Sequence, residues 1–275
     1  MQNSFRQYVA DLEKRWGEAR KWGPPEFSST AKEVKPTAQG PLAVILAPHP
    51  DDECITGLWP LRLAREAGWQ ICVLPMGWGS KKERRAARRK ELEKAVSFLG
   101  WRVAGELSTD SNHWAEGALL EWLQTRRPAA IFTPHRTDGH PQHIRVREKL
   151  SRVLLQMPVD FRCALIETEY WHPMTDPNLL VQGSAAQVGD LVAALSCHVG
   201  EVARNPYHLT LPAWMMDTVR RGAELLGGPG APAPDFCFAT LYRLSFWKTH
   251  ELTKASPAEP FLSTHSDPAR DLGVI

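Results

Sequence analysis

The chain has 275 residues, 43% hydrophobic and 23% charged, with a formal net charge of +2. It is long enough to bury a sizeable core, its composition is that of an ordinary globular protein, and so small a charge does not by itself call for a polyanionic partner. Its five cysteines, at 54, 72, 163, 197 and 237, form no C-x-x-C pair, which argues against a disulfide scaffold or a cysteine-based zinc knuckle and predicts reduced thiols in a cytoplasmic protein.

Residues 4–21 read as an amphipathic helix, with Phe5, Tyr8, Val9, Leu12 and Trp16 at helical spacing. Charges run through this stretch and leave no apolar core of a secretory signal. The linker "GPPEFSSTAKEVKPTAQGP" follows. From residue 42 apolar strands alternate with helical patterns: strands at 42–47, 69–75, 101–107, 129–133 and 162–168, helices at 53–67, 81–99, 114–127 and 141–157. Each interval between strands admits a crossover helix, which predicts a single Rossmann-like α/β domain, its mostly parallel sheet covered by helices on both faces. Helices at 184–197 and 212–226 come next, and a Gly/Pro loop leads to a late strand in "FCFATLYRLSFW". The organisation expected is a helix and linker over 1–40, the domain over 41–250 and a tail over 251–275. No apolar run is long enough to span a bilayer.

Open parallel sheets bind ligands beyond the carboxyl ends of their strands, and two strand ends here are unusually polar. "ILAPHPDDE" delivers His49, Asp51 and Asp52; "AAIFTPHRTDGHPQH" delivers His135, Asp138, His140 and His143. His140 and His143 straddle Pro141, which suits the first turn of a helix, and a spacing of three puts both on one face. A lone aspartate after a strand is usually a helix cap. Two separate His/Asp clusters at ligand-binding strand ends point instead to a metal centre. Imidazole and carboxylate without thiolate suit catalytic Zn2+, and Fe2+ in a two-histidine-one-carboxylate site is equally compatible. The residue types alone choose neither between Asp51 and Asp52 nor among His135, His140 and His143.

These residues carry a resemblance. "APHPDDE", with "DGHPQH" some way downstream, resembles the LmbE-like/PIG-L family of zinc-dependent N-acetylglucosaminyl deacetylases. The likeness extends to "RRKELEKAVSFLG", through Arg88, Glu91, Ala95, Leu99 and Gly100, to "RPAAIFTPH", and to a later "AALSCH". It implies that His49, Asp52 and His143 bind zinc, that Asp51 is the general base, and that His140 assists at the oxyanion or leaving group. It further implies that Arg88 and Asp110 reach the substrate, a small N-acyl amino sugar or glycoconjugate. Two departures stand out. Gln142 replaces a common aspartate, and "PMGWGS" replaces a segment that usually carries a sugar-binding glutamate, so that Trp78 takes its place.

Among the tryptophans, Trp59, Trp69 and Trp101 read as packing, and Trp78 and Trp114, in loops after strands, as pocket walls. The basic run "KKERRAARRKELEK" is interleaved with Glu83, Glu91 and Glu93, so no nucleic-acid partner is expected. "HPDDECITG" lacks the glycine-rich turn of a dinucleotide site. A non-catalytic sugar-binding or scaffolding protein, and an amidase for non-sugar amides, are the rival readings; a homo-oligomer is left open.

Overall fold

The computed structural model describes residues 3–25, 40–104, 113–170 and 172–273. Helix α1 (Ser4–Ala19) precedes the domain, and its Phe5, Tyr8, Val9 and Leu12 are exposed. The alternation follows as β1 (Leu42–Ala47), α2 (Asp52–Thr56), α3 (Leu58–Glu66), β2 (Gln70–Pro75), α4 (Arg85–Leu99), β3 (Arg102–Val103), α5 (Glu116–Arg126), β4 (Ala130–Pro134), α6 (Pro141–Leu154) and β5 (Arg162–Thr168). The chain closes with β6 (Leu179–Gly183), α7 (Ala185–Ser196), α8 (Val199–Arg204), α9 (Leu211–Gly227), β7 (Phe238–Lys248), β8 (Glu251–Lys254) and β9 (Phe261–Leu262).

One sheet runs in the order β3-β2-β1-β4-β5-β7-β6-β9, with β8 hydrogen-bonded to β7. Strands β3, β2, β1, β4 and β5 are parallel, and β7 lies antiparallel between β5 and β6. Strands covered on both faces need side chains that are apolar in both directions. The "LAVILA" of β1 meets that requirement, with Ala43 through Ala47 fully buried. Strand order reverses between β1 and β4, which are neighbours in the sheet although β2 and β3 intervene in sequence. This is the switch point at which the connections diverge and open a crevice.

The helix expected over 53–67 is two helices broken at Gly57, whose φ is +20°. A Cβ there would stand 2.5 Å from the Cys54 carbonyl oxygen and 2.6 Å from the Leu191 side chain, so only glycine permits this bend. The strand expected over 101–107 is two residues long within the described part, since 105–112 lie outside it. Residues 251–275, read from sequence as a tail, contribute β8 and β9 to the sheet. Beyond β9, the Pro268 carbonyl accepts a 2.8 Å hydrogen bond from buried Trp59. The Ser266 and Leu262 carbonyls accept from Arg62, which is wholly buried. Among the described residues no helix is long and apolar enough to cross a membrane.

Candidate functional site

The carboxyl ends of β1 and β4 open side by side into a cavity of about 760 Å³. His49, Asp51, Asp52 and His140 line its floor. Ile55, Leu211 and Trp214 supply apolar wall, and Trp78, Lys81, Arg84 and Arg204 lie along the lining as well.

Four donors converge on the floor. Asp52 Oδ2 lies 3.2 Å from His49 Nδ1 and 3.3 Å from His143 Nε2, and accepts the His49 backbone N–H at 2.8 Å. The rings of His49, His140 and His143 stand 4.9 to 5.4 Å apart, with nitrogens within 4.8 Å of one another. His143 is completely buried, yet neither of its nitrogens makes a well-directed hydrogen bond. Its Nδ1 faces Asp138 Oδ1 at 3.4 Å while Nε2 points at Asp52, the carboxylate–histidine alignment that orients metal ligands. A buried imidazole so placed, beside a carboxylate and two further histidines, fits a divalent cation. Burial alone pushes the Asp52 carboxyl up, but the His143 and His49 rings outweigh it and hold it well below the usual range. Burial likewise lowers His143, and the Asp52 and Asp138 carboxylates overcome it, raising the ring to about 10.

Asp51, one residue away, behaves oppositely. Burial, followed by the Asp52 charge, raises its carboxyl to about 7 against the pull of His198, Arg88 and Tyr207. Its Oδ2 accepts a 2.6 Å hydrogen bond from the Tyr207 hydroxyl. Its backbone is held at φ 126°, ψ −33°, outside the regions open to a side-chain-bearing residue. Such a conformation costs about 1–3 kcal/mol and persists only where the surroundings impose it.

His140 caps α6. Its Nδ1 accepts the Gln142 backbone N–H at 3.2 Å, so the neutral ring carries its proton on Nε2. Burial, then the neighbouring His49 and His143, lowers its pKa, which favours the neutral ring. Tyr170 stands edge-on to His143 with ring centroids 5.0 Å apart.

The remaining expectations divide. Arg88 lines the cavity, but its guanidinium is braced by the Pro50 and Trp78 carbonyls at 3.2 and 3.4 Å, and lies 3.9 Å from Asp51 and 3.8 Å from Glu201. Gly79 makes room for it: φ is +86°, and a Cβ would sit 2.3 Å from Arg88 Nη1. Trp78 borders the cavity but its side chain is buried in the core, as is that of Trp114, whose Nε1 bonds the Pro75 carbonyl. Trp59, Trp69 and Trp101 are core, as their positions suggested. His135 is locked to the His172 carbonyl and Thr137. Asp110 lies outside the described residues. Within the basic run, Arg84 pairs with Glu91 and Arg89 with Glu93.

Sequence reasoning did not find Tyr207, which no spacing rule connects to a residue 156 positions earlier. Nor does the sequence give a role to Glu53 of "HPDDE" or to His198, the last residue of "AALSCH". These two are completely buried and 2.7 Å apart.

Residues 44–154 match the PIG-L family, described as GlcNAc-PI de-N-acetylase. A conserved protein of Thermus thermophilus superposes with a TM-score of 0.57 at 20% identity, over 74% of this chain and 94% of that one. N,N'-diacetylchitobiose deacetylase from Pyrococcus horikoshii gives 0.54 at 15% identity, covering 78% and 87%. GalB, the 4-carboxy-2-hydroxymuconate hydratase of Pseudomonas putida, gives 0.55 at 13%, covering 75% and 96%. At these identities the likeness establishes a shared fold, which hosts more than one chemistry. No curated protein sequence matches the chain. The span that matches the PIG-L (LmbE-like) family model, 44–154, is the part of the chain that holds both strand-end clusters.

Proposed function

We propose that this protein is a metal-dependent hydrolase that removes the N-acetyl, or another N-acyl, group from an N-acetylglucosamine-type sugar or conjugate. His49, Asp52 and His143 would hold the cation, Zn2+ in the first instance. The observation that carries this reading is the different company kept by two adjacent carboxylates on one cavity floor: Asp52 Oδ2 lies 3.2 Å from His49 Nδ1 and 3.3 Å from His143 Nε2, while Asp51 Oδ2 accepts from Tyr207 and its carboxyl is raised to about 7. Paired groups whose environments drive them apart are how one site separates ligand from acid–base catalyst.

A bound divalent cation acidifies water and polarises an amide carbonyl. Asp51 takes the proton from the attacking water and is poised to return it, since a group near pH 7 both accepts and donates. Tyr207 holds the Asp51 carboxylate through Oδ2 and leaves Oδ1 for that proton. Neutral His140, protonated at Nε2, donates a hydrogen bond to the developing oxyanion or to the departing amine. Trp214, half-buried in the lining, offers an indole face suited to a sugar ring.

Protein purified from a zinc-replete preparation should contain about one metal per chain and release acetate from N-acetylglucosamine conjugates. Asp51→Asn should keep the metal and lose roughly 10²- to 10⁴-fold in rate. Metal-free protein, or an unimpaired Asp51→Asn variant, refutes the assignment. Metal-loaded wild type that is inert towards every N-acyl amino sugar and active on another amide would move the reading to an amidase.

A further inference from the structure

Beneath the cavity floor lies a second buried cluster that the catalytic reading does not use. Glu53, Cys54 and His198 are fully buried, with potential ligand atoms within 4.8 Å of one another. The spacing resembles a metal site, but the contacts are those of a hydrogen-bonded relay. Glu53 Oε1 lies 2.7 Å from His198 Nε2, which is direct hydrogen-bond distance, and the Cys54 thiol donates to the same oxygen at 3.2 Å. Burial, reinforced by the Glu53 charge, pushes the thiol well above its ordinary pKa, so it remains a protonated donor. The other oxygen, Glu53 Oε2, accepts the backbone N–H of Asp51 at 2.8 Å.

That last contact meets the peptide at the residue whose backbone is strained. Asp51 has a φ of 126°, and its N–H is directed into the interior at Glu53 instead of continuing the helical turn. His198 opens α8, the helix that also supplies Glu201 and Arg204 to the cavity wall. Its Nδ1 is buried without a hydrogen-bond partner among the described residues, a cost that a purely structural contact would not need.

We infer that Glu53 and His198 form a positioning clamp: the Glu53 carboxylate, fixed by His198, grips the Asp51 amide and imposes the backbone conformation that presents the Asp51 side chain to the reacting centre. The kinetic consequence rests on the reading of Asp51 as the base; the conformational consequence does not.

The experiment compares Glu53→Ala, Glu53→Gln, His198→Asn, Asp51→Ala and the Asp51→Ala/Glu53→Ala double variant, each as metal-loaded full-length protein. The probes are N-acetylglucosamine and N,N'-diacetylchitobiose. In crystals of Glu53→Ala, Asp51 relaxes to negative φ; in Glu53→Gln, whose amide oxygen still accepts the N–H, positive φ persists. In Glu53→Ala, kcat falls roughly 10- to 100-fold, the scale of a small misplacement of a reacting group, with KM and metal content unchanged. Glu53→Gln recovers most of that loss, and His198→Asn falls between. The double variant is no slower than Asp51→Ala alone, because residues acting as one unit are non-additive. Positive φ retained in Glu53→Ala overturns the clamp, as does an additive double variant. A second metal ion that disappears in His198→Asn also overturns it, in favour of a buried metal site. If Glu53→Ala does not fold, the Glu53→Gln and His198→Asn pair decides: an unchanged kcat in His198→Asn with the metal in place refutes the clamp. Wild type that binds no metal and releases no acetate fails the catalytic reading, and the φ of Asp51 still settles the clamp.

Discussion

Replacing Tyr207 with phenylalanine deletes one hydroxyl, the donor 2.6 Å from Asp51 Oδ2. A hydrogen bond to a charged acceptor contributes about 1.5–3 kcal/mol. The Asp51 carboxylate accepts it, and the protonated acid has far less use for it, so the loss falls mainly on the ionised form. One pKa unit corresponds to about 1.4 kcal/mol, so Tyr207→Phe should raise the Asp51 pKa by roughly one to two units. A base works when deprotonated, and the acid limb of the kcat/KM profile therefore moves to higher pH by the same amount. From a starting value of about 7, the ionised fraction at neutral pH drops from near one half to roughly 1–10%. Activity at pH 7 should then fall about 5- to 50-fold and recover above pH 9. Wherever a bound cation sets the wild-type limb, the displacement between the two proteins remains. The assay is acetate release across pH 5 to 10 for both proteins, with metal content measured in parallel. A uniform loss at every pH, or an unmoved limb, would refute the pairing of Tyr207 with a catalytic carboxylate.

Other outcomes follow from the same geometry. Because His143 is raised to about 10, cation binding below that pH displaces a proton, and apparent metal affinity should rise about tenfold per pH unit between 6 and 8. Chelator competition measures this, and a flat response would remove His143 from the ligand set, as would full metal occupancy in His143→Ala. Arg62 is wholly buried and bonds Glu66 and the carbonyls of Gln182, Leu262 and Ser266. Arg62→Met should cost about 3–5 kcal/mol in a urea titration, the scale of a broken buried ion pair. A loss under about 1 kcal/mol would show that the segment after β9 is not anchored there.

The parallel half of the sheet was legible because strands buried on both faces must be apolar in both directions, and "LAVILA" and "AAIF" announce themselves. The five-residue β6 was not, since "LLVQG" holds only three apolar residues and no alternation. The break at Gly57 was hidden because the helical pattern continues across it; a Cβ there would meet the Cys54 carbonyl oxygen and the Leu191 side chain, contacts that exist only once the bend has formed. At the site, position alone singled out two strand-end clusters, His49 with Asp51 and Asp52, and His135 with Asp138, His140 and His143; the choice of Asp52 and His143 among them rests on the family resemblance. Trp78 follows a strand end, whereas Arg88, inside α4, was expected there only through the family resemblance, and its guanidinium is taken up by loop carbonyls. Tyr207 reaches Asp51 from a loop between α8 and α9, and only the closed fold makes that contact.

Why two adjacent aspartates should differ so strongly is a question of backbone direction. Consecutive residues in ordinary helical or extended geometry already send their side chains different ways, but both would remain near the same cluster of histidines. The positive φ at Asp51 goes further, aiming its carboxylate at Tyr207 and towards Arg88, while Asp52, the first residue of α2, stays between His49 and His143. Asp52 therefore sits among imidazoles that stabilise its charge, whereas burial beside Asp52 makes the charge of Asp51 costly. A backbone relaxed at Asp51 would erase that difference and place two like charges against one cluster of histidines. On the proposed reading of Asp52 as ligand and Asp51 as base, their separation is a property of one strained peptide, and the buried carboxylate of Glu53 is the group in contact with its N–H.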